Sequence, residues 1–263
     1  NKEIIIGAIA GDIIGSVFEH RYNIPKDFDL FSETSIFTDD TVLTIAVLDC
    51  LLNDEILNIE KYLKSYTKKY INSGFGPGFI DWTSKPNGEK GFSCGNGAAM
   101  RISPLGALIN DENKLLEFIK TITNTSHNHD ESLKGANAIG LCIFKAKNGV
   151  SKIDISKYVC SLGYDLKSDS KSLKQAFRKD FGRGVEYICQ TTVPIAVSCF
   201  LQTNDYESCI RLAISLGGDT DTVACMAGGI ASAYYGGLPK KIKNETLKKL
   251  PKEFKNILKK IKY

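Results

Sequence analysis

Two short acidic runs dominate the chemistry available to this chain. Gly217-Gly218-Asp219-Thr220-Asp221-Thr222 opens a small-residue, apolar stretch that reaches Tyr235, and Thr38-Asp39-Asp40-Thr41 stands directly before the apolar run Val42 to Leu52. Asp or Thr in front of a helix is first of all an N-cap, because its side-chain oxygen accepts the unpaired amides of the first turn. Paired carboxylates at each entrance exceed that need, since the additional charges repel unless a cation or solvent screens them. Oxygen donors select hard cations such as Mg²⁺ or Mn²⁺, whereas zinc would recruit His or Cys in a spacing that the three histidines do not supply. Asp39, Asp40, Asp219 and Asp221 are enough to hold two divalent ions ~3.5–4 Å apart, an arrangement that activates water and clamps substrate oxygens. The helix N-termini favour the ionised acids.

A second group of residues suits a nucleotide-like ligand. Gly95-Asn96-Gly97 is an ordinary Gly-rich turn or, leading into a helix, a set of bare amides at a positive dipole end that fits a diphosphate. The segment Gly74-Phe75-Gly76-Pro77-Gly78-Phe79, followed by Trp82, alternates flexible backbone with aromatic surface. Such a loop can wrap a flat ring and a phosphate. Phe75 or Phe79 is available to stack on the ring, although each serves a core equally well.

The elements that must carry these groups read as helices. Apolar periodicity predicts them near 3–17, 41–52, 55–72, 96–110, 112–124, 130–148, 151–162, 171–178, 190–201, 205–216, 220–236 and 244–260. Alternating strand patterns with Asn-Gly or Asp-Gly turns do not recur, so the fold class is all-α. Loops are expected at Arg21 to Ser35, Gly74 to Gly95 and Gly163 to Ser170. With 263 residues and no low-complexity linker, the chain is read as one domain, 1–263.

Composition narrows the function classes. Hydrophobic content of 43% with 24% charged residues is that of a soluble globular protein, and no apolar run reaches the ~18–20 residues that cross a bilayer. The first apolar run is too short for a secretory signal, so a cytoplasmic location is expected. None of the eight cysteines forms a Cys-x-x-Cys pair, and most fall in apolar helical stretches as free thiols. The net charge of +4 owes much to a lysine-rich tail patterned by Leu247, Leu250, Phe254, Ile257 and Leu258, which reads as a solvated helix face rather than a nucleic-acid surface. No long heptad seam is visible, and a monomer is expected.

Five ordered motifs carry a family resemblance. Gly7-Ala8-Ile9-Ala10-Gly11-Asp12-Ile13-Ile14-Gly15-Ser16 with Glu19, Phe37-Thr38-Asp39-Asp40-Thr41, Gly95-Asn96-Gly97-Ala98-Ala99-Met100-Arg101, Ser126-His127-Asn128-His129 and Gly217-Gly218-Asp219-Thr220-Asp221-Thr222 resemble the ADP-ribosylglycohydrolase family. That family includes the dinitrogenase reductase-activating glycohydrolases and the ADP-ribosyl-acceptor hydrolases. The resemblance implies a compact, orthogonal multi-helix bundle with a binuclear Mg²⁺ or Mn²⁺ site in a cleft. It also implies cleavage of the bond between ADP-ribose and a modified protein side chain or small compound. It makes Thr38, Asp39, Asp40, Asp219, Asp221 and Thr222 the metal ligands and sets Glu19 beside them, where it gates or activates a water. It assigns Gly95, Asn96 and Gly97 to the pyrophosphate and His127 to a contact near the ribose and phosphate, and Gly74 to Gly78, with Phe75 and Gly76, reads as part of the same ligand loop. Met100 and Arg101 read as helix packing and a buried ion pair. Asp12 orients ligands from behind or caps the first helix. His129 is a ligand contact or a structural residue.

Two positions depart from the family pattern: Ser93-Cys94 before the Gly-Asn-Gly turn, where many relatives carry Pro-Cys or Tyr, and Asp130 after the second histidine, where a Pro is usual. Both touch loop geometry, so they bear on substrate preference and leave the reaction class standing. Two other functions share these residues. A two-metal centre also serves hydrolysis of another nucleotide bond, and the same fold can serve a non-catalytic ADP-ribose sensor. Product identity separates the first and turnover the second.

Overall fold

The computed structural model describes residues 1–169, 172 and 185–261. Two helices, α1 (Lys2–Gly15) and one near the other end of the chain, Thr220–Tyr235, are apolar around almost their whole circumference and lie at the centre. A helix without a polar face has nowhere stable to go except inside. Gly11 and Gly15 let these two backbones touch: a Cβ on Gly11 would stand 2.1 Å from the Ala224 carbonyl oxygen, and one on Gly15 2.6 Å from Asp221 Cα. Small residues four apart on α1 therefore set its last turn directly against the second acidic run.

The remaining helices surround that pair. They are α2 (Asp39–Leu52), α3 (Ile59–Lys69), α4 (Pro77–Thr83), α5 (Gly97–Met100), α6 (Ser103–Leu108), α7 (Glu112–Ser126), α8 (Asp130–Lys147), α9 (Lys152–Ser161), α10 (Cys189–Leu201) and α11 (Tyr206–Ser215). The central Thr220–Tyr235 helix is α12, followed by α13 (Lys240–Lys249) and α14 (Lys252–Lys259). No strand forms among the described residues, and the one β feature is an isolated antiparallel bridge between Gly95 and Ile188. The all-α expectation holds. No described helix is long and apolar enough to cross a membrane.

Four expected elements differ in their bounds, for local reasons. The helix expected over 96–110 is two helices, since Pro104 in the first turn of α6 has no N–H to give and its ring excludes a continuous helix through Arg101. Pro251 likewise divides the expected 244–260 helix into α13 and α14. A 3₁₀ turn, Ile56–Asn58, precedes α3 inside the expected 55–72 segment. The expected loop Gly74 to Gly95 contains α4, which begins on Pro77, a residue suited to a first turn. The helix expected over 171–178 falls outside the described residues apart from Ser172.

The lysine-rich tail packs as its pattern suggests. Leu250, Phe254, Ile257 and Leu258 are buried, with Leu247 against the same core. Phe254 lies 5.3 Å from the Phe37 ring and 4.9 Å from Tyr70, so α14 braces the chain immediately before Thr38. Six of the eight cysteines are buried, Cys94 is half-buried and Cys160 exposed, and all are free thiols.

Candidate metal centre and ligand cleft

The two acidic runs meet. Thr38 caps α2, its Oγ1 accepting from the Asp40 amide at 3.3 Å, and Asp219 stands at the N-cap position of α12. Thr222 Oγ1 donates to Asp40 Oδ2 at 3.0 Å, a direct bond between segments 182 residues apart. Gly217 and Gly218, both at positive φ (82° and 76°), turn the chain into Asp219. The Thr220 hydroxyl then ties the start of α12 to the Gly15 carbonyl at 2.9 Å.

Among the described residues, ligand-capable carboxylate oxygens converge in two groups. Those of Asp12, Asp40 and Asp221 all lie within 4.8 Å of one another, as do those of Glu19, Asp219 and Asp221. Asp221 belongs to both. Asp39, Thr38 and Thr222 line the same cleft, although Asp39 joins neither group. Asp40 Oδ1 is buried and has no hydrogen-bond partner among the described residues.

The electrostatics of this cluster are those of carboxylates crowded together and withdrawn from water. Burial, then repulsion from Asp221, raises the Asp12 carboxyl to about 7. Burial, then the charge of Glu19, raises Asp221 to about 6. Asp39, Asp40 and Asp219 are pushed well above the usual carboxylate range by burial and by the neighbouring acids. Carboxylates packed this closely need protons or divalent cations between them. Hard oxygen donors, an unpartnered buried oxygen and a shared Asp221 fit divalent ions.

Of the two roles open to Asp12 from sequence, capping the first helix fails and the bonds it makes are those of the other, holding candidate ligand residues from behind. It lies in the last turn of α1 and cannot cap that helix. Instead it accepts four hydrogen bonds at the entrance of α2: from the Thr38 amide (3.0 Å) and hydroxyl (2.7 Å), the Thr41 amide (3.1 Å) and the Thr41 hydroxyl. These occupy most of its lone pairs and lock the first acidic run in place. The neighbouring turn is held as firmly. His20 donates its amide to the Gly218 carbonyl, Gly218 donates to Arg21, and this pairing sets Glu19 beside Asp219. His20 adopts a left-handed backbone (φ 63°), and its Nε2 lies 3.2 Å from Glu19 Oε1.

The acids open into a cleft of about 740 Å³ whose walls include Gly76, Phe75, Phe79, Trp82, Phe92, Gly95, Asn96, Gly97 and His127. Asn96 donates its carboxamide to Asp219 Oδ2 at 2.6 Å, joining the Gly-rich turn to the acidic cluster. The amides of Gly95 and Asn96 already donate to Ser93 Oγ and the Tyr187 carbonyl, and the helix behind the turn is only four residues long. The dipole-based part of the diphosphate expectation is therefore weaker than the sequence suggested. His127 is buried at the end of α7 with its ring on the cleft, whereas His129 is the N-cap of α8, its Nδ1 accepting from the Glu131 amide at 3.1 Å. Arg101 is fully buried as expected, but no ion-pair partner is found for it among the described residues; its Nη2 donates to Ser126 Oγ and the Ile122 carbonyl instead.

The aromatic wall was only partly foreseen. Phe75 is 6% exposed and stacks parallel on Phe79, ring centroids 5.9 Å apart. Phe92, 79% exposed, and Tyr187, whose hydroxyl lies 2.9 Å from His20 Nδ1, also line the cleft and were not singled out from sequence. For Phe92 a signal existed, an isolated aromatic between Gly91 and Ser93 in a polar loop. Nothing local marks Tyr187, because it reaches the cleft only through the bridge between Gly95 and Ile188.

A helical scaffold brings two acidic helix entrances into one cleft, and comparison with known proteins gives the class to which such a scaffold belongs. Residues 2–261 match the family model described as ADP-ribosylglycohydrolase, and the chain belongs to that family. It is 28% identical to the ADP-ribosylhydrolase ARH3 of Gallus gallus over 88% of this chain and 84% of that protein. It is 24% identical to the ADP-ribosylarginine hydrolase Tri1 of Pseudomonas putida (strain GB-1), over 90% and 71% of the two chains. A solved structure described as an ADP-ribosylglycohydrolase-related protein complex superposes with a TM-score of 0.71 at 22% identity, covering 98% of this chain and 95% of that one.

Proposed function

We propose that this chain, acting as one domain over residues 1–263, hydrolyses the glycosidic bond between ADP-ribose and a modified acceptor and releases free ADP-ribose. The acceptor is a protein side chain or a small ADP-ribosylated compound, and the activities for which the relatives are named support this reaction class. The observation that carries the reading is the pair of overlapping acidic groups that share Asp221, a residue lining an aromatic-walled cleft. Thr38, Asp39, Asp40, Asp219, Asp221 and Thr222 are the residues that would hold two Mg²⁺ or Mn²⁺ ions. Bound there, the ions supply Lewis acidity and a template for the ribose hydroxyls and a water.

The chain's own groups do the rest. Glycoside cleavage develops positive charge at the anomeric carbon, which a carboxylate-lined pocket favours over a neutral one. Glu19, half-buried beside Asp219 and Asp221, would take a proton from the water whose oxygen bonds to the anomeric carbon and return it to the acceptor atom, which leaves with the electron pair of the broken bond. His127, Asn96 and the Gly95 to Gly97 turn border the room for the diphosphate, while Phe75, Phe79 and Phe92 provide apolar walls for the base. The protein acts as a monomer in the cytoplasm, without membrane or nucleic-acid partners.

The test compares arginine-linked and serine-linked ADP-ribosyl peptides incubated with the protein and Mg²⁺ or Mn²⁺, products separated by chromatography. Free ADP-ribose and unmodified peptide from at least one substrate are expected. AMP or phosphoribosyl peptide would mean that a phosphate bond is cut, and no product of any kind would leave a binding protein.

A further inference from the structure

We propose that Arg101 and Ser126 fix His127 as the tautomer with its proton on Nε2, so that the cleft wall offers a hydrogen-bond donor to an anionic ligand oxygen. The assignment rests on the proposed ADP-ribose ligand only for the identity of that oxygen, which would belong to the diphosphate.

The argument is one of donor direction. Arg101 Nη2 lies 2.7 Å from Ser126 Oγ, and Ser126 Oγ lies 2.8 Å from His127 Nδ1. A guanidinium has no acceptor, so Ser126 Oγ must accept from it. The serine hydrogen then has one described neighbour able to receive it, Nδ1. The reverse arrangement, with Nδ1–H donating to the serine, would leave a buried hydroxyl hydrogen without an acceptor, which costs more than the bond returns. With Nδ1 accepting, a neutral ring carries its proton on Nε2. That atom stands 3.0 Å from where a Cβ on Gly97 would sit and 3.7 Å from the corresponding point on Gly95, against the turn that borders the cleft.

Two further observations point the same way. Burial, then the charge of Arg101, holds the His127 imidazole well below its ordinary pKa, so the ring stays neutral at physiological pH. Arg101 is itself hard to explain as a stabilising residue: burial lowers it only to about 9, it remains a cation, and its Nε and Nη1 have no partner among the described residues. A buried, incompletely paired charge weakens a fold. What it does achieve is polarisation of the chain of donors from guanidinium to hydroxyl to imidazole to cleft, each bond strengthening the next. Phe79 closes the far side, its ring 5.9 Å from the guanidinium carbon and 6.0 Å from the imidazole.

Long-range ¹H–¹⁵N spectra of the full-length protein labelled at histidine read the tautomer without substrate, with His127→Asn identifying the ring among the three histidines. A neutral ring protonated at Nε2 is expected in the wild type and in Ser126→Thr, which keeps the hydroxyl. Ser126→Ala and Arg101→Met should shift the ring toward mixed tautomers, weaken ADP-ribose binding by about tenfold, and raise KM more than they lower kcat. Arg101→Met should melt no lower than the wild type, an outcome that a purely structural role does not give. A wild-type ring protonated at Nδ1, or an unchanged tautomer in both Ser126→Ala and Arg101→Met, would overturn the assignment. If Arg101→Met fails to fold, the contrast between Ser126→Ala and Ser126→Thr decides. Absent turnover with the expected tautomer would count against the proposed reaction alone, and intact hydrolysis with the wrong tautomer against this assignment alone.

Discussion

At the scale of single residues, the acids are distinguished by where their charge is placed rather than by their number. Asp221 stands in both carboxylate groups, and Asp219 is held by Asn96 in one of them. Asp221→Asn and Asp219→Asn keep shape and remove charge, so each should lower turnover by more than the ~10–100-fold that loss of a supporting group costs a metal site. Wild-type turnover in both variants would sink the metal-ligand assignment. Burial, with the same repulsion second, sets the pH dependence of stability. Asp12 and Asp221, raised from 3.8 to about 7 and about 6, bind protons in the folded state that the unfolded chain has already released. Their contribution is fully present below the unfolded value near 3.8 and is lost as pH rises through 6 and 7. In chelator, melting should therefore occur at a lower temperature near about pH 8 than near about pH 5, and Mg²⁺ should restore it most at the higher pH. A melting temperature indifferent to both would contradict the account. The residues most legible in the sequence were these acids, because two Asp at one helix entrance are too many for capping. For Asp12 the sequence offered two roles without deciding between them, since its partners Thr38 and Thr41 come from another helix.

At the scale of elements, the site depends on two packing contacts far from its chemistry. The first is the close approach of α1 and α12 at Gly11, where an added Cβ would stand 2.1 Å from a carbonyl oxygen. Gly11→Val should cost at least ~1–3 kcal/mol by overpacking and lower metal affinity along with melting temperature, because it separates Asp12 from Asp221. Undiminished metal affinity in a destabilised Gly11→Val would show that the two effects are separate. The second is α14, whose fully buried Phe254 supports Phe37 and Tyr70. Phe254→Ala should cost ~3–5 kcal/mol in chemical denaturation, and a loss under about 1 kcal/mol would remove α14 from the support of the first entrance. Helix existence was readable from apolar period along most of the chain. Breaks at Pro104 and Pro251 were legible in principle from the missing N–H, whereas α4 was hidden by Gly76, Pro77 and Gly78, residues that read as loop until Pro77 is seen to open a helical turn.

At the scale of the whole molecule, the chain places its two acidic runs near opposite ends of the sequence and folds so that one cleft holds both. Periodicity identifies the helices but says nothing about which of their ends meet; here the five ordered motifs carried that information, and family membership and the helical fold agree with them. What no local pattern supplied was the cleft's far wall. Tyr187 reaches it only through tertiary structure, Phe92 carried a local signal that did not say which wall it would join, and Arg101 acts on it from the interior. The most direct test of the central claim is the stoichiometry of Mn²⁺ binding to the full chain, measured by titration calorimetry and by the electron paramagnetic resonance signal of the free ion. Two ions per chain are expected for the wild type and fewer for Asp221→Asn, whose carboxylate both groups share. A single ion in the wild type, or two still bound by Asp221→Asn, would contradict a centre assembled from both acidic entrances.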